Sequence, residues 1–468
     1  MKIPTTMKTM KITQPFQTHA FTACLLGLAA LLVQLAAPSA FAAGPYYWDC
    51  NTNTAGFGTA GGTWSATTTP SATQGWSTDS TGASALTSVT TATTDTSENF
   101  GSVVSNLLAG TVTVSGTVNS GPIIFGTNSG AIVLSGGTIT LPATASITVS
   151  NTAGDTINSI LSGAATSLTV AGPTTSSLTL SGANNYGGTT LLTGPRVAIG
   201  AATYLPSGSA VTISSGAQLY FSAAFTFANN FNISGNGFAE TGGSGNVGAI
   251  RMSNGDILTN GVITLGGNSR IGYIAGNTFS VTISDYITGS YGLDYYADFN
   301  NTTTSKTATF LLQNTGTAND YTGNTTIYAA WYGGTTPNET TMVKLGASEQ
   351  IPNGPGKGIL VLAGSAANWM TTFELNGFNE TVNGISAAQP GFTNTIQNTA
   401  TGASTLTVGD ANTNSSFSGN ILDGGTGKTL AITKIGTGTL TLSGSNAFTA
   451  GLTVSAGTLE ADNANALG

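Results

Sequence analysis

Few side chains in this sequence could do chemistry, and two groups of them stand out. Asp294 and Asp298 lie in the stretch Tyr-Gly-Leu-Asp-Tyr-Tyr-Ala-Asp-Phe-Asn, residues 291–300. On an extended strand their even spacing puts both carboxylates on one face. Tyr291, Tyr295 and Tyr296 stand beside them. Acid–base cleavage of a polysaccharide uses such a carboxylate pair. The plainer reading is a decorated solvent face, and it is preferred because the other acidic residues are scattered. The second group is Trp48, Trp64 and Trp76, in an opening segment dense in aromatics. Three indoles can form a platform for sugars, or they can seal the open end of a hydrophobic core. The cap is preferred. These five residues are the ligand candidates of the sequence. No catalytic residue, cofactor site or metal site is assigned.

Other chemistry is removed by the leader. Lys2, Lys8 and Lys11 precede an apolar run from Ala20 to Ala37, and Ala40-Phe41-Ala42 fits the small-x-small cleavage rule. Residues 1–42 therefore read as a secretory signal peptide, with an uncleaved anchor as the alternative. The only histidine, His19, leaves with it, and so does Cys24. Without histidine, Ser-His-Asp, Cys-His and His-metal sites are excluded in the mature chain. Cys50 alone cannot form an internal disulfide, and an inert thiol is expected. Losing three lysines takes the formal charge from −8 to −11. Such an acidic chain is a poor partner for nucleic acid or anionic lipid. Gly56–Gly61 fits G-x-G-x-x-G but neither follows an apolar strand nor opens a helix. Gly-Gly-Thr-Gly-Lys-Thr at 424–429 lacks the first glycine of a phosphate loop and reads as a turn. Asp155, Asp256 and Asp285 have turn-like neighbours, so local backbone hydrogen bonds are expected for them.

The elements that must carry these residues are short strands. Of 468 residues, 64 are Gly and only 6% are charged, while 40% are hydrophobic. Disorder wants more charge and fewer apolar residues, and collagen wants glycine at every third position. From about Phe100 onward, period-2 stretches such as Gly-Thr-Val-Thr-Val-Ser recur, each ended by Gly, Ser or Asn. No amphipathic helix of useful length follows the leader. Residues 43–99 read as an N-terminal cap region and 100–468 as a solenoid.

Internal repeats support the solenoid. Residues 176–206 align with 437–468: Ser181-Gly182 with Ser443-Gly444, Asn184 with Asn446, and Tyr186 with Phe448. A weaker copy, 308–334, supplies Asn319, Tyr321 and Gly323. A repeat of about 130 residues made of many strand–turn units fits a parallel β-helix better than a blade or sandwich. At roughly 20 residues per coil and about 4.8 Å per strand, the rod would be on the order of 80–100 Å long.

The segment 434–468 resembles the autotransporter-associated β-strand repeat, also called the passenger-associated transport repeat. Lys434, Gly436, Gly438, Leu440, Leu442, Gly444, Asn446, Phe448, Val454, Gly457 and Leu459 fall on its pattern; Ala450 and Leu452 depart from it. The resemblance implies a right-handed parallel β-helix, exported by type V secretion and displayed at a bacterial cell surface, outer membrane or extracellular. Members usually end in an outer-membrane barrel or another anchor, which these 468 residues do not include. The sequence stops inside a repeat, so truncation is expected. The function implied is that of a non-catalytic passenger with a structural or adhesion role. Its expected partners are a host or neighbouring-cell surface or a polysaccharide, and a monomer is expected. A β-helical polysaccharide lyase or glycoside hydrolase, and a carbohydrate-binding surface protein, are the alternatives.

Overall fold

Alternating apolar and Thr, Ser or Asn residues become short strands, each pointing every second side chain inward. In the computed structural model these strands stack in parallel, coil upon coil. It describes residues 43–240, 245–275, 278–300, 305–332, 339–364, 369–388 and 393–468. The signal peptide expected over 1–42 lies outside the described residues, with His19 and Cys24.

A typical coil has three sides. Ile123–Phe125 forms the first, Ile132–Ser135 the second and Thr138–Thr140 the third; the next coil repeats them with Thr144–Val149, Asp155–Ile157 and Ile160–Ser162. Each strand pairs in parallel with its counterparts one coil away. The register puts like against like. On the first side Ile123, Ile147, Val170, Leu192, Ile213, Ile233 and Leu265 form one inward column. On the second side Val112, Leu134, Ile157, Leu180, Ile199 and Phe221 form another. All thirteen are buried. Each contributes on the order of 1.5–3 kcal/mol of apolar burial, so the core is a stack of small increments shared between neighbouring coils.

The fold is the parallel β-helix expected from the sequence, with longer coils. Arg196 pairs with Ser177, 19 residues back, whereas Leu360 pairs with Thr325, 35 residues back. Longer coils mean fewer rungs. Among the described residues, thirteen hydrogen-bonded rungs run along the second side from Thr63–Ser65 to Ile385–Ala387. Ser415–Phe417, Thr439–Leu442 and Thr458–Ala461 carry that side on. Fifteen steps at about 4.8 Å give a stack of about 70 Å, below the 80–100 Å expected from uniform short coils.

The N-terminal end is sealed by aromatics. Tyr46–Asp49 pairs antiparallel with Gly75–Ser77 and parallel with Glu98–Phe100, so one strand joins the cap to the first side. Trp48 and Trp64 meet Trp76 edge-on at 4.9 and 5.4 Å. Phe100 then continues the stack to Phe125, 5.7 Å away.

Candidate functional site

The sequence contains three arginines, and successive coils bring all of them to one patch on the outer face of the second side. Arg196, Arg251 and Arg270 stand on Arg196–Ile199, Ile250–Arg251 and Val262–Ala275. Tyr220 lies opposite Arg251 in the register, and Tyr296 lies opposite Tyr328. The coil that begins at Phe231 makes an excursion before Ile250. Bridges between Gly237 and Gly248 and between Ala239 and Asn246 fold it back over the sheet. This carries Glu240 onto the arginines. Its carboxylate accepts from Arg196 at 3.1 Å and from Arg251 at 2.9 Å. Arg251 lies over the Tyr220 ring at 4.2 Å and Arg270 over Tyr296 at 4.0 Å. Arg270 also pairs with Asp294 at 3.2 Å and donates to the Asn246 carbonyl at 2.6 Å. Gly272 makes room for the excursion, because a Cβ there would collide with the Val247 carbonyl oxygen. Val247, Tyr296 and Ala330 are buried together beneath. The planar guanidiniums are thus stacked and paired, the arrangement in which Arg binds best.

The candidate carboxylates fall on this patch, but not as a pair open to solvent. Asp294 is partly exposed and bound to Arg270. Asp298 points the same way, as the even spacing requires, yet it is fully buried, in register with Ile274 and Ala330. The three indoles are fully buried as well. Trp48 donates to the Gly61 carbonyl at 2.9 Å and Trp64 to the Thr91 hydroxyl at 3.1 Å. Their faces are occupied by one another, so a sugar has no ring to stack on. Cys50 is half-buried, with its thiol against the Gly61 carbonyl and its pKa pushed up by burial. Gly425 and Lys428 close the expected turn at 424–429. Among the described residues, no three His, Cys, Asp or Glu side chains are grouped to hold a metal, and no helix is long and apolar enough to cross a membrane.

The recurring Asn-x-aromatic element acts alike in all three copies, where it ends a strand ladder. Asn184 accepts the Leu161 amide at 2.8 Å and donates to the Tyr204 carbonyl at 2.7 Å. Asn319 accepts the Ile287 amide at 2.8 Å and donates to the Gln350 carbonyl at 2.9 Å. Asn446 accepts the Ile421 amide at 2.8 Å and donates to the Ala466 carbonyl at 2.6 Å. Ile160–Ser162, Tyr286–Gly289 and Asn420–Asp423 are each the last strand of their ladder at that point. The Asn side chain takes the strand amide, while the backbone amide of the following residue (Asn185, Asp320 or Ala447) takes the carbonyl of the same strand residue, so the buried edge keeps its partners. The aromatic two residues on is buried every time. Tyr186 bonds the Thr190 hydroxyl at 2.7 Å, and Tyr321 bonds that of Thr325 at 2.5 Å. In the third copy both polar partners change together, to Phe448 and Leu452.

Buried carboxylates do related work. Asp155 accepts the Ile132 amide at 2.9 Å, Asp256 that of Phe225 at 2.9 Å, and Asp285 that of Gly261 at 2.9 Å. These bonds link successive coils, 23, 31 and 24 residues apart, rather than closing the local turns expected. Asp256 adds a local bond from the Ser253 amide, and Asp155 one from the Asn151 side chain at 2.8 Å. Glu380 accepts from both Gln350 and Ile351. Burial outweighs these bonds and raises Asp155 and Asp285 to about 6, Asp256 to about 7 and Glu380 to about 8. Glu240 and Tyr220 were not foreseen as site residues. The confinement of every arginine to residues 196–270 was the one signal available for them.

The last turns of the stack decide the resemblance. Residues 432–461 match the passenger-associated transport repeat. No curated protein and no solved structure matches the chain. The repeat's pattern has a physical reading here. Leu440 and Leu442 are core, and Asn446 and Phe448 end the ladder of the third side. Gly436 and Gly444 sit where a Cβ would collide with the carbonyls of Gly409 and Gly419, one coil below. Lys434 is buried, with its ammonium donating to the carbonyls of Ile435, Gly436 and Ala456. Burial lowers its pKa.

Proposed function

We propose that this protein is a secreted or surface-displayed, non-catalytic β-helical passenger with a structural or adhesion role. The observation that carries this reading is the passenger-associated transport repeat at 432–461, set in a parallel β-helix. The use of the acidic side chains supports it: Asp155, Asp256, Asp285 and Glu380 hold coils together, and Asp294 is engaged by Arg270. Adhesion would use the outer faces, where Thr381, Thr407, Thr433 and Thr453 align in one column. The test compares bacteria with and without the gene for adherence to host cells and to immobilised polysaccharide. It also measures release of sugar ends from acidic polysaccharides. The reading predicts altered adherence without release. Release that Asp294→Asn abolishes would overturn it.

One observation favours a second reading, an acidic-glycan contact. Three arginines and Tyr220, Tyr296 and Tyr328 share one outer face. Titration with polygalacturonate would support this if Arg251→Ala weakened binding at least tenfold.

A further inference from the structure

The inward column of the first side does not begin with an apolar residue. Tyr46, Glu98 and Ile123 are in register, and Glu98 takes the place above Ile123 and Ile147 where an aliphatic side chain would belong. It is fully buried at the joint between the cap and the solenoid. One carboxyl oxygen accepts from the Ser120 hydroxyl at 2.8 Å. The other has no donor in good hydrogen-bond geometry, although the Gly121 amide stands close to the carboxyl. The buried Asp95 carboxyl lies beside it, its own oxygen taken by the Ala92 amide at 2.6 Å. The Tyr46 phenol is near enough for both carboxyls to raise its pKa. Ile123–Phe125, on the opposite side, offers nothing that titrates. Residues 43–195 contain five acidic side chains and no Lys, Arg or His. No Lys, Arg or His side chain of this stretch is therefore at hand to neutralise an ionised Glu98.

We propose that the proton on Glu98, held against Asp95, is a latch that keeps the N-terminal cap closed on the solenoid, and that losing this proton loosens the cap. The undonated oxygen is the one that carries the proton. Ionisation would leave a charged carboxylate, with the Ser120 hydroxyl but no cation to hold it, at the head of an aliphatic column and beside a second carboxylate. Burial, reinforced by Asp95, pushes the Glu98 pKa up to about 9. In an opened cap it would return to the ordinary glutamate value of about 4.3. Between those values the closed form binds more protons, so each pH unit favours opening about tenfold. Asp49, also in the cap, is raised only to about 6, so most of its titration lies below pH 7.

Hydrogen exchange on the full chain at pH 7.0 and 8.5, corrected for intrinsic rates, tests this. Amides of 46–49 and 98–100 in the wild type should lose about thirtyfold in protection, while those of 190–213 change little. Glu98→Gln keeps the shape and the Ser120 bond, and it should abolish the loss. A wild-type cap that moves no more than 190–213 overturns the proposal, whatever the variant does. So does a Glu98→Gln protein with the wild-type slope.

Discussion

Replacing Asn184 with alanine should destabilise the coils around it far more than its position between strands suggests. The side chain bonds the Leu161 amide on one coil and the Tyr204 carbonyl on another, and it is itself buried. Alanine removes two hydrogen bonds and strands the amide of Leu161, whose residue is fully buried. An orphaned buried donor costs about 1–3 kcal/mol and a lost hydrogen bond about 1 kcal/mol, so the total is about 3 kcal/mol. The neighbouring Asn185 is exposed, and Asn185→Ala should stay within about 0.5 kcal/mol of wild type. Because a solenoid opens locally, hydrogen exchange is the sharper assay. About 3 kcal/mol corresponds to roughly a hundredfold faster opening equilibrium at Leu161. If Asn184→Ala matched Asn185→Ala, with Leu161 protection unchanged, the ladder-ending role would be refuted.

Other outcomes follow from the same contacts. Tyr186→Phe should cost about 1 kcal/mol in urea unfolding by leaving the Thr190 hydroxyl buried alone, and adding Thr190→Val should recover most of it, as the Phe448 and Leu452 copy implies. Gly272→Ala should lift the excursion and destabilise by about 1–3 kcal/mol, with the fastest gain in exchange at Val247. Trp76→Ala should cost about 3–5 kcal/mol in the cap, read by fluorescence, while circular dichroism of the remaining coils persists. Asp155, Asp256, Asp285 and Glu380 all have folded pKa values above their unfolded ones. The folded state thus binds more protons between about pH 4 and the folded values of 6–8, and stability falls as pH rises through that window. The urea midpoint should be higher at pH 5 than at pH 8, and a maximum at pH 8 would contradict this.

Much of the fold was legible because a solenoid writes itself locally. Alternation in Thr-Val-Thr-Val segments gave the strands, and the spacing of Asn184, Asn319 and Asn446 gave the repeat. What each repeat does was not legible, because it depends on which side of the coil it meets. Ser177–Leu180 and Thr439–Leu442 precede their Asn on the second side, whereas Thr307–Leu312 precedes Asn319 on the third. The middle copy therefore ends a different ladder with the same side-chain chemistry. The aspartates were misread for a related reason. Their neighbours looked like turns, but stacking sets residues 23 to 31 positions away beside them. The arginine patch was hidden most completely. It needs an excursion of the chain to carry Glu240 over three separate rungs, and no periodicity marks such an excursion. Trp48, Trp64 and Trp76 are fully buried, which their spacing in the sequence did not reveal.

On the proposed reading, this β-helix is carried out of the cell and displayed. That reading is tested most directly by expressing the natural gene in its bacterium and digesting intact cells with a protease, with an antibody to residues 46–77 as the readout. Loss of that epitope from intact cells is expected, on a chain whose first residue lies near Ala43. An epitope protected until the cells are lysed, on a chain still carrying residues 1–42, would contradict it.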